Sequence, residues 1–118
     1  NPQALEKFTS KIRAWNCGGD ILDQAFAQEW FKYMKKPLLD GYGLSEAGPN
    51  VAISGPSCFR LGTVGNSLEG TEVKISEDGE LLIKNPSIAT KYLGKNGQRI
   101  VDDSGWLHSG DKAYIDED

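Results

Sequence analysis

The stretch GYGLSEAGP, from Gly41 to Pro49, sets an aromatic ring, a hydroxyl and a carboxylate among small residues. Tyr42 offers a flat face on which a planar heterocycle can stack, and the hydroxyl of Ser45 can donate to a phosphate oxygen. Glu46 supplies the hard oxygen ligand that Mg²⁺ takes from proteins when phosphates and water complete its shell. Glycines such as Gly43 let the backbone approach a ligand where a Cβ would collide. Together these residues indicate a nucleotide phosphate site with Glu46 as metal ligand.

A structural interpretation of the same stretch stays open. Tyr42 could close the core at the end of a strand, and Ser45 with Glu46 could cap a helix. The residue types alone do not separate these two interpretations.

A second group of polar residues lies near the end of the chain, in GWLHSGD from Gly105 to Asp111. Asp111, predicted on a tight glycine turn, could accept hydrogen bonds from the adjacent hydroxyls of a sugar. Ser-Gly-Asp is also ordinary turn chemistry. Trp106 is interpreted as a core anchor, and His108 as a structural residue because its sequence neighbours suggest no catalytic partner.

The glycine pair Gly18-Gly19, followed by Asp20, is the third candidate. Such a pair between a strand and a helix leaves backbone groups open to a ligand. The negative charge of Asp20 disfavours a phosphate here and favours a helix N-cap. Backbone contacts to a base remain possible.

The first part of the chain shows the pattern of a βαβ unit. Apolar residues at three- and four-residue spacing predict a helix over Ile21–Met34, which Asp20 caps and Pro37 stops. Flanking strands are predicted over Ile12–Cys17 and Leu38–Tyr42, and they should run parallel. A preceding helix is predicted over Pro2–Phe8 with Asn1 as its cap.

The remainder of the chain predicts short antiparallel strands. Turn signals at Glu77–Gly79 and Asn96–Gly97 indicate hairpins. The predicted elements are strands over Thr71–Ser76, Glu80–Asn85, Gln98–Val101 and Lys112–Ile115, and a short helix within Ser87–Leu93. The fold class is therefore α/β: a partial βαβ layer over residues 1–50, followed by a small antiparallel β-barrel-like subdomain over residues 51–118.

Composition limits the function further. The 118 residues carry 13 basic and 17 acidic side chains, a net charge of −4, which argues against a nucleic-acid partner. Two cysteines outside any metal-binding spacing and one histidine argue against zinc. Free thiols fit a reducing, cytoplasmic location. No apolar run approaches the roughly 20 residues of a transmembrane helix, and both ends of the chain suggest a piece of a larger protein.

Five stretches, in order, resemble the adenylate-forming superfamily of acyl-CoA synthetases, luciferases and peptide-synthetase adenylation domains. Gly18–Leu22 is similar to its glycine-pair turn, Gly41–Glu46 to its Tyr-Gly-x-Thr-Glu motif, and Gly105–Asp111 to its Gly-Trp-x-x-Thr-Gly-Asp motif. Leu61–Gly65 and Gly79–Leu93 resemble the segments between them. The resemblance covers nearly the whole chain. Ser45 and Ser109 replace the usual threonines but keep the hydroxyl, whereas Asp20 replaces the commoner alanine and leaves the subfamily open.

The resemblance implies a role for each site residue. Tyr42 would pack on adenine, and Ser45 would contact the α-phosphate. Glu46 would hold Mg²⁺ against the phosphates of ATP, and Asp111 would bind the ribose hydroxyls, so that these residues converge on one nucleotide. Gly18, Gly19 and Asp20 would line the base or acyl pocket through their backbone, and Gly43 is also expected to bind the nucleotide.

The implied activity is a two-step ligation, typical of fatty acid metabolism, in which a carboxylic acid is adenylated by ATP and then transferred to coenzyme A. The family's phosphate loop and carboxyl-terminal domain would lie outside this chain, so it is predicted to be a fragment that is inactive alone. A βαβ layer that is only partly present should expose apolar surface, so the fragment is expected to self-associate. A luciferase-like or aryl-acid ligase is an alternative, and a non-enzymatic β-rich interaction module is the alternative of another class.

Overall fold

A computed structural model describes residues 2–94 and 97–117. Helices and strands alternate in the first part, and strands follow. The helices are α1 (Pro2–Thr9) and α2 (Gln24–Met34), with a 3₁₀ turn at Ser45–Ala47; the strands are β1 (Trp15–Gly18), β2 (Leu38–Gly43), β3 (Asn50–Ile53), β4 (Asn66–Ser67), β5 (Glu72–Ile75), β6 (Glu80–Lys84) and β7 (Leu107–Lys112). The predicted α/β class is confirmed. None of the helices among the described residues has the length and apolar character of a transmembrane span.

The chain forms two compact units. The first comprises Asn1–Tyr42 with Ala52–Asn66, and the second comprises Gly43–Val51 with Ser67–Asp118. Each unit therefore contains residues from both sides of position 50, and the domain boundary placed there from the sequence stays a prediction.

The βαβ unit forms as predicted. β1 and β2 are parallel, with Trp15 opposite Leu38 and Gly18 opposite Gly41, and α2 lies between them in the chain. Leu38 and Leu39 are both buried, so β2 contributes core on both of its faces. The sheet continues through β3 to β4, and the amide of Ser54 donates to the carbonyl of Asp40 over 2.8 Å.

The start of α2 differs from the prediction. Asp23, not Asp20, is the N-cap: its backbone is extended and its carboxylate accepts from the amide of Phe26 over 2.7 Å. Asp20 accepts from the amide of its neighbour Ile21 instead, over 2.7 Å. Because the Asp20 carboxylate accepts from the adjacent amide, it does not cap the first turn of the helix. The helix begins at Gln24, three residues later than Ile21. Lys35, in the left-handed conformation, ends it.

Contacts within the first unit fix α1 and β1. The ammonium group of Lys36 donates to the carbonyl oxygens of Thr9 and Ile12, which end and follow α1. The rings of Trp15 and Trp30 meet edge to face with their centroids 5.2 Å apart. The helix α2 is thereby held to β1 through an aromatic pair.

The second sheet is antiparallel, in the order β5-β6-β7. The strands predicted over Thr71–Ser76 and Glu80–Asn85 are confirmed with shorter bounds. Leu81, Leu82 and Ile83 of β6 are buried together with Leu107 of β7. Within residues 2–94 and 97–117 this three-stranded sheet is open, so the expected barrel-like closure is wrong.

Three predicted elements of this part are also wrong. The last strand is Leu107–Lys112 rather than Lys112–Ile115, because the predicted glycine turn is itself part of the strand. Residues 98–101 form only single bridges, between Lys91 and Arg99 and between Val101 and Leu107. Residues 87–93 form irregular backbone with turns at both ends and the bridge at Lys91, instead of a helix. The Asn1 cap and the Asn96 half of the second hairpin signal lie outside the described residues.

Candidate functional site

The parallel pairing of β1 and β2 brings two predicted site segments together. Gly18 ends β1 directly opposite Gly41, so Gly19 and Asp20 follow β1 beside the end of β2, where Tyr42 lies. A Cβ on Gly18 would stand 2.9 Å from the carbonyl oxygen of Gly41. Gly18 thus permits close packing of β1 against β2, whereas a Cβ on Gly19 would meet no atom within 4 Å. The half-buried Tyr42 is at the carboxyl end of a parallel strand, the position at which α/β folds bind ligands.

Gly43 has a packing role that the sequence analysis did not identify. A Cβ at this position would lie 1.7 Å from the carbonyl oxygen of Pro49, far inside van der Waals contact. The chain therefore turns back on itself around Gly43, from β2 through the 3₁₀ turn to β3. The missing Cβ of Gly43 thus allows another part of this chain, the Pro49 carbonyl, to come close. A ligand contact at Gly43 stays a prediction.

Ser45 and Glu46 lie inside the 3₁₀ turn rather than at a helix cap. Leu44 occupies the N-cap position without a side-chain hydrogen bond, so the capping alternative is wrong. Ala47, which completes the turn, is fully buried and anchors it. Ser45 is exposed and Glu46 is half-buried. The turn thus presents a hydroxyl and a carboxylate on consecutive residues.

Glu46 is held by residues far along the chain. The phenol of Tyr92 donates to Oε1 of Glu46 over 2.9 Å, and the amide of Ala89 donates to the Glu46 carbonyl over 2.9 Å. The hydrogen bond to the Glu46 carboxylate is the main reason that the pKa of Tyr92 is raised, followed by burial. No local pattern in the sequence pairs Tyr92 with Glu46.

Asp111 lies on a strand bulge, not on the predicted glycine turn. His108 faces Leu82 and Lys112 faces Glu80, so the four-residue step on β7 opposes a two-residue step on β6. The two extra residues make β7 bulge, and Gly110 takes φ +79° there. The Asp111 amide donates to Oγ of Ser109 over 3.0 Å.

A charged cluster lies beside this bulge. Nδ1 of His108 is 3.0 Å from Oε2 of Glu80, and its Nε2 is 3.3 Å from Oδ2 of Asp102. The two carboxylates raise the pKa of His108. The pKa of Glu80 is lowered, first by the hydrogen bond from the Gly110 amide and then by His108. The structure therefore gives His108 two partners that the sequence analysis missed, because they lie on another strand and in a preceding loop.

The described residues contain no group of three or more His, Cys, Asp or Glu that could hold a metal ion. A Mg²⁺ at Glu46 would thus take one protein carboxylate and complete its shell with phosphate oxygens and water, which is how protein-bound Mg²⁺ is commonly held with nucleotides. The half-buried, hydrogen-bonded Glu46 fits that role.

An open cavity of about 520 Å³ lies in the first unit. Arg13, Ala14 and Asn16, around the start of β1, line it together with Pro56. This lining includes none of the residues predicted from the motifs.

Comparisons with known proteins identify the family. The sequence model of the AMP-binding enzyme family matches residues 1–93. A long-chain-fatty-acid–CoA ligase of Salmonella typhimurium is 33% identical over an alignment of 114 positions, which covers 86% of this chain and 20% of the relative. A malonyl-CoA ligase structure with methylmalonyl-CoA and AMP bound has a TM-score of 0.84 at 21% identity, over 99% of this chain and 27% of its own.

An O-succinylbenzoate–coenzyme A synthetase from Bacillus subtilis, in complex with ATP and magnesium ion, has a TM-score of 0.72 at 22% identity, over 98% of this chain and 28% of its own. At these identities the two structures establish the fold. The chain spans about a fifth of the length of the curated fatty-acid ligase that it matches. The match over most of the chain confirms the resemblance seen in the motifs, and this chain belongs to the AMP-binding enzyme family.

Proposed function

We propose that this chain is part of an ATP-dependent acyl-CoA ligase, which adenylates a carboxylic acid and transfers the acyl group to coenzyme A. The family match over residues 1–93 is the observation that carries the proposal. The names of the relatives point the same way: one is a fatty-acid–CoA ligase, and a structural neighbour holds a CoA thioester with AMP. A non-enzymatic interaction module has no comparable support.

Tyr42, Ser45 and Asp111 contact the nucleotide in this proposal. Tyr42 stacks on adenine, and Ser45 donates to the α-phosphate. Asp111 accepts from the ribose hydroxyls. The position of Tyr42 at the carboxyl end of β2 and the exposure of Ser45 support these roles. Backbone contacts to the base or acyl group are assigned to Gly18, Gly19 and Asp20, and a contact to the nucleotide is assigned to Gly43.

Glu46 is the proposed protein ligand for Mg²⁺, which would neutralise phosphate charge as the acid attacks. Tyr92 holds one carboxylate oxygen of Glu46 and limits the directions in which that carboxylate can point. The neighbour bound to ATP and magnesium supports this assignment by analogy of fold.

The rest of a longer parent chain is the proposed partner of this part. Phe26 and Tyr33 lie seven residues apart on the same side of α2. The two residues are 52% and 64% exposed, so this side of the helix presents apolar surface. The parent chain would cover such rings, and the isolated chain is proposed to be inactive and to self-associate through them. A cytoplasmic location is proposed as well, in keeping with two free cysteines.

The test uses the full-length parent enzyme and carboxylate-dependent ATP–pyrophosphate exchange. A mass-spectrometric screen of carboxylic acids, including aryl acids, first identifies the substrate. We expect Glu46→Gln and Asp111→Ala each to lower exchange by about a hundredfold, the scale of losing one electrostatic contact to the reacting groups. Glu77→Gln, an exposed acid on the β5–β6 turn, is the matched control. Near-normal exchange in both site variants would overturn the proposal.

A further inference from the structure

The bulge in β7 leaves backbone groups that the sheet cannot pair. Between His108 and Lys112 the strand is two residues longer than the facing part of β6, so the amides in the bulge need other acceptors. The Gly110 amide finds one in Oε1 of Glu80, at 2.8 Å. A charged acceptor makes this one of the stronger classes of hydrogen bond.

The same carboxylate is fixed on its other side. Oε2 of Glu80 lies 3.0 Å from Nδ1 of His108, so the two oxygens bind the residue that precedes the bulge and the glycine at its centre. Glu80 is only 19% exposed at its side chain, whereas His108 is 51% exposed. The less exposed carboxylate therefore bridges the bulge.

His108 is in turn held by Asp102, whose Oδ2 is 3.3 Å from Nε2. The other oxygen of Asp102 accepts from the amides of Ser104 and Trp106, at 2.8 Å and 2.9 Å. Two backbone amides of the loop before β7 thus fix the direction of the Asp102 carboxylate, which orients the imidazole of His108. The imidazole in turn orients Glu80. These contacts link the loop to the bulge that contains Asp111.

We propose that Glu80 and His108 are positioning residues: they hold the Ser109–Asp111 bulge in the conformation that presents Asp111 to the ribose. The inference rests on the proposed function, in which Asp111 binds the ribose hydroxyls. Neither residue contacts the substrate in this account. A bulge turns a side chain out of the regular alternation of a strand, and here that side chain is Asp111. Glu80 and His108 are placed where they can hold this bulge.

The experiment measures Michaelis constants for ATP and for the carboxylic acid in the full-length parent enzyme. We expect Glu80→Ala to raise the constant for ATP about tenfold, as a small displacement of a binding group does, and to change that for the acid less than twofold. Glu80→Gln keeps an oxygen that can accept from Gly110, so it should recover most of the loss. Glu77→Gln is again the control, and melting curves confirm that each variant is folded.

A second variant protects the test against misfolding. His108→Gln replaces a half-exposed ring and leaves the buried leucines of β6 in place, and it should raise the constant for ATP in the same selective way. Hydrogen exchange of the Gly110 amide should be faster in Glu80→Ala than in the parent. If folded variants keep the parental constant for ATP, or lose affinity for both substrates equally, the inference is overturned.

A failure of the proposed function would be distinguishable from a failure of the positioning role. A parent enzyme without carboxylate-dependent exchange, or an Asp111→Ala variant with full activity, would overturn the assignment of Asp111 itself. An active parent that depends on Asp111 but not on Glu80 or His108 would overturn only the positioning role.

Discussion

The phenol of Tyr92 donates a 2.9 Å hydrogen bond to Oε1 of Glu46, although 46 residues separate the two in the chain. Glu46 sits on a three-residue 3₁₀ turn, which is too short to fix a side chain through its own backbone hydrogen bonds. Its direction therefore depends on the distant tyrosine. This dependence can be measured.

Tyr92→Phe should weaken the Mg²⁺ response of the parent enzyme. The substitution removes the hydroxyl and keeps the ring, so it deletes one hydrogen bond of about 1 kcal/mol. We expect the Mg²⁺ concentration for half-maximal pyrophosphate exchange to rise roughly three- to tenfold, and the free energy of unfolding to fall by about 1 kcal/mol. Tyr114→Phe, at a ring that is 80% exposed, is the control. An unchanged Mg²⁺ requirement would show that Glu46 does not need this partner.

Gly43→Ala should be severely destabilising, because its methyl group would collide with the Pro49 carbonyl oxygen at 1.7 Å. We expect a loss of at least about 3 kcal/mol in the free energy of unfolding, or no folded protein. Gly41→Ala on the same strand meets its nearest atoms at 3.5 to 3.8 Å and should cost less than about 1 kcal/mol. Urea denaturation compares the two. Equal effects would contradict the packing assigned to Gly43.

Asp23→Ala should destabilise α2 by about 1 kcal/mol, the usual cost of losing an N-cap. The carboxylate that accepts from the Phe26 amide would be gone, and amides in the first turn of a helix have no intrahelical acceptor to replace it. Asp20→Ala provides the comparison, since Asp20 bonds only the adjacent amide of Ile21 and should matter less for the helix. The opposite ranking, measured by urea denaturation, would restore Asp20 as the cap.

The single histidine makes the Glu80–His108–Asp102 cluster directly observable by proton NMR. Since the folded pKa of His108 is raised above 6.5, the charged cluster contributes stability below that value and loses it as pH rises through the folded pKa. The lowered pKa values of Glu80 and Asp102 act in the other direction, so their contribution is lost as pH falls through those values. Stability from this cluster should therefore be greatest in mildly acidic solution.

Glu80→Gln should bring the pKa of His108 down toward 6.5, because the glutamate is the largest cause of its elevation. Glu77→Gln should leave the titration unchanged. A histidine that titrates near its ordinary value in the unmutated protein would contradict the geometry of the cluster.

Self-association of the isolated chain follows from its exposed rings. Sedimentation of the 118-residue chain should show a mass that increases with concentration. Replacing Phe26 and Tyr33 together by glutamine should shift the chain toward monomer, whereas Tyr114→Gln should have little effect. A monodisperse monomer over the accessible concentrations would contradict the expectation.

The βαβ unit was predictable because each of its elements has a local signal. The apolar spacing of α2, the stop at Pro37 and the buried leucines of β2 depend on neighbouring residues alone. The start of α2 was harder, since Asp20 and Asp23 are both good caps and only the hydrogen bond to Phe26 distinguishes them. β3 and β4 have four and two residues, fewer than a periodic pattern needs to stand out.

The candidate site was predictable only in part. Residues such as Tyr42, Glu46 and Asp111 follow from motif order, and their combined role at one nucleotide stays a prediction. Tyr92 and Glu80 lie within the Gly79–Leu93 stretch of the resemblance, but their contacts could not be predicted, because each acts on a residue 46 or 28 positions away. The glycine in the β7 motif predicted a turn, whereas in a bulged strand the same residue supplies the positive φ that the extra length requires.

The even length of the insertion in β7 has a consequence for the strand as a whole. Side chains alternate between the faces of a strand, so adding two residues leaves that alternation in phase before and after the irregularity. Lys112 therefore still reaches the turn between β5 and β6, where its ammonium group lies 2.9 Å from Asp78. Losing one residue between His108 and Lys112 would invert the phase and point this lysine to the opposite face, whereas losing two would preserve it and shorten the loop of backbone in which Asp111 lies.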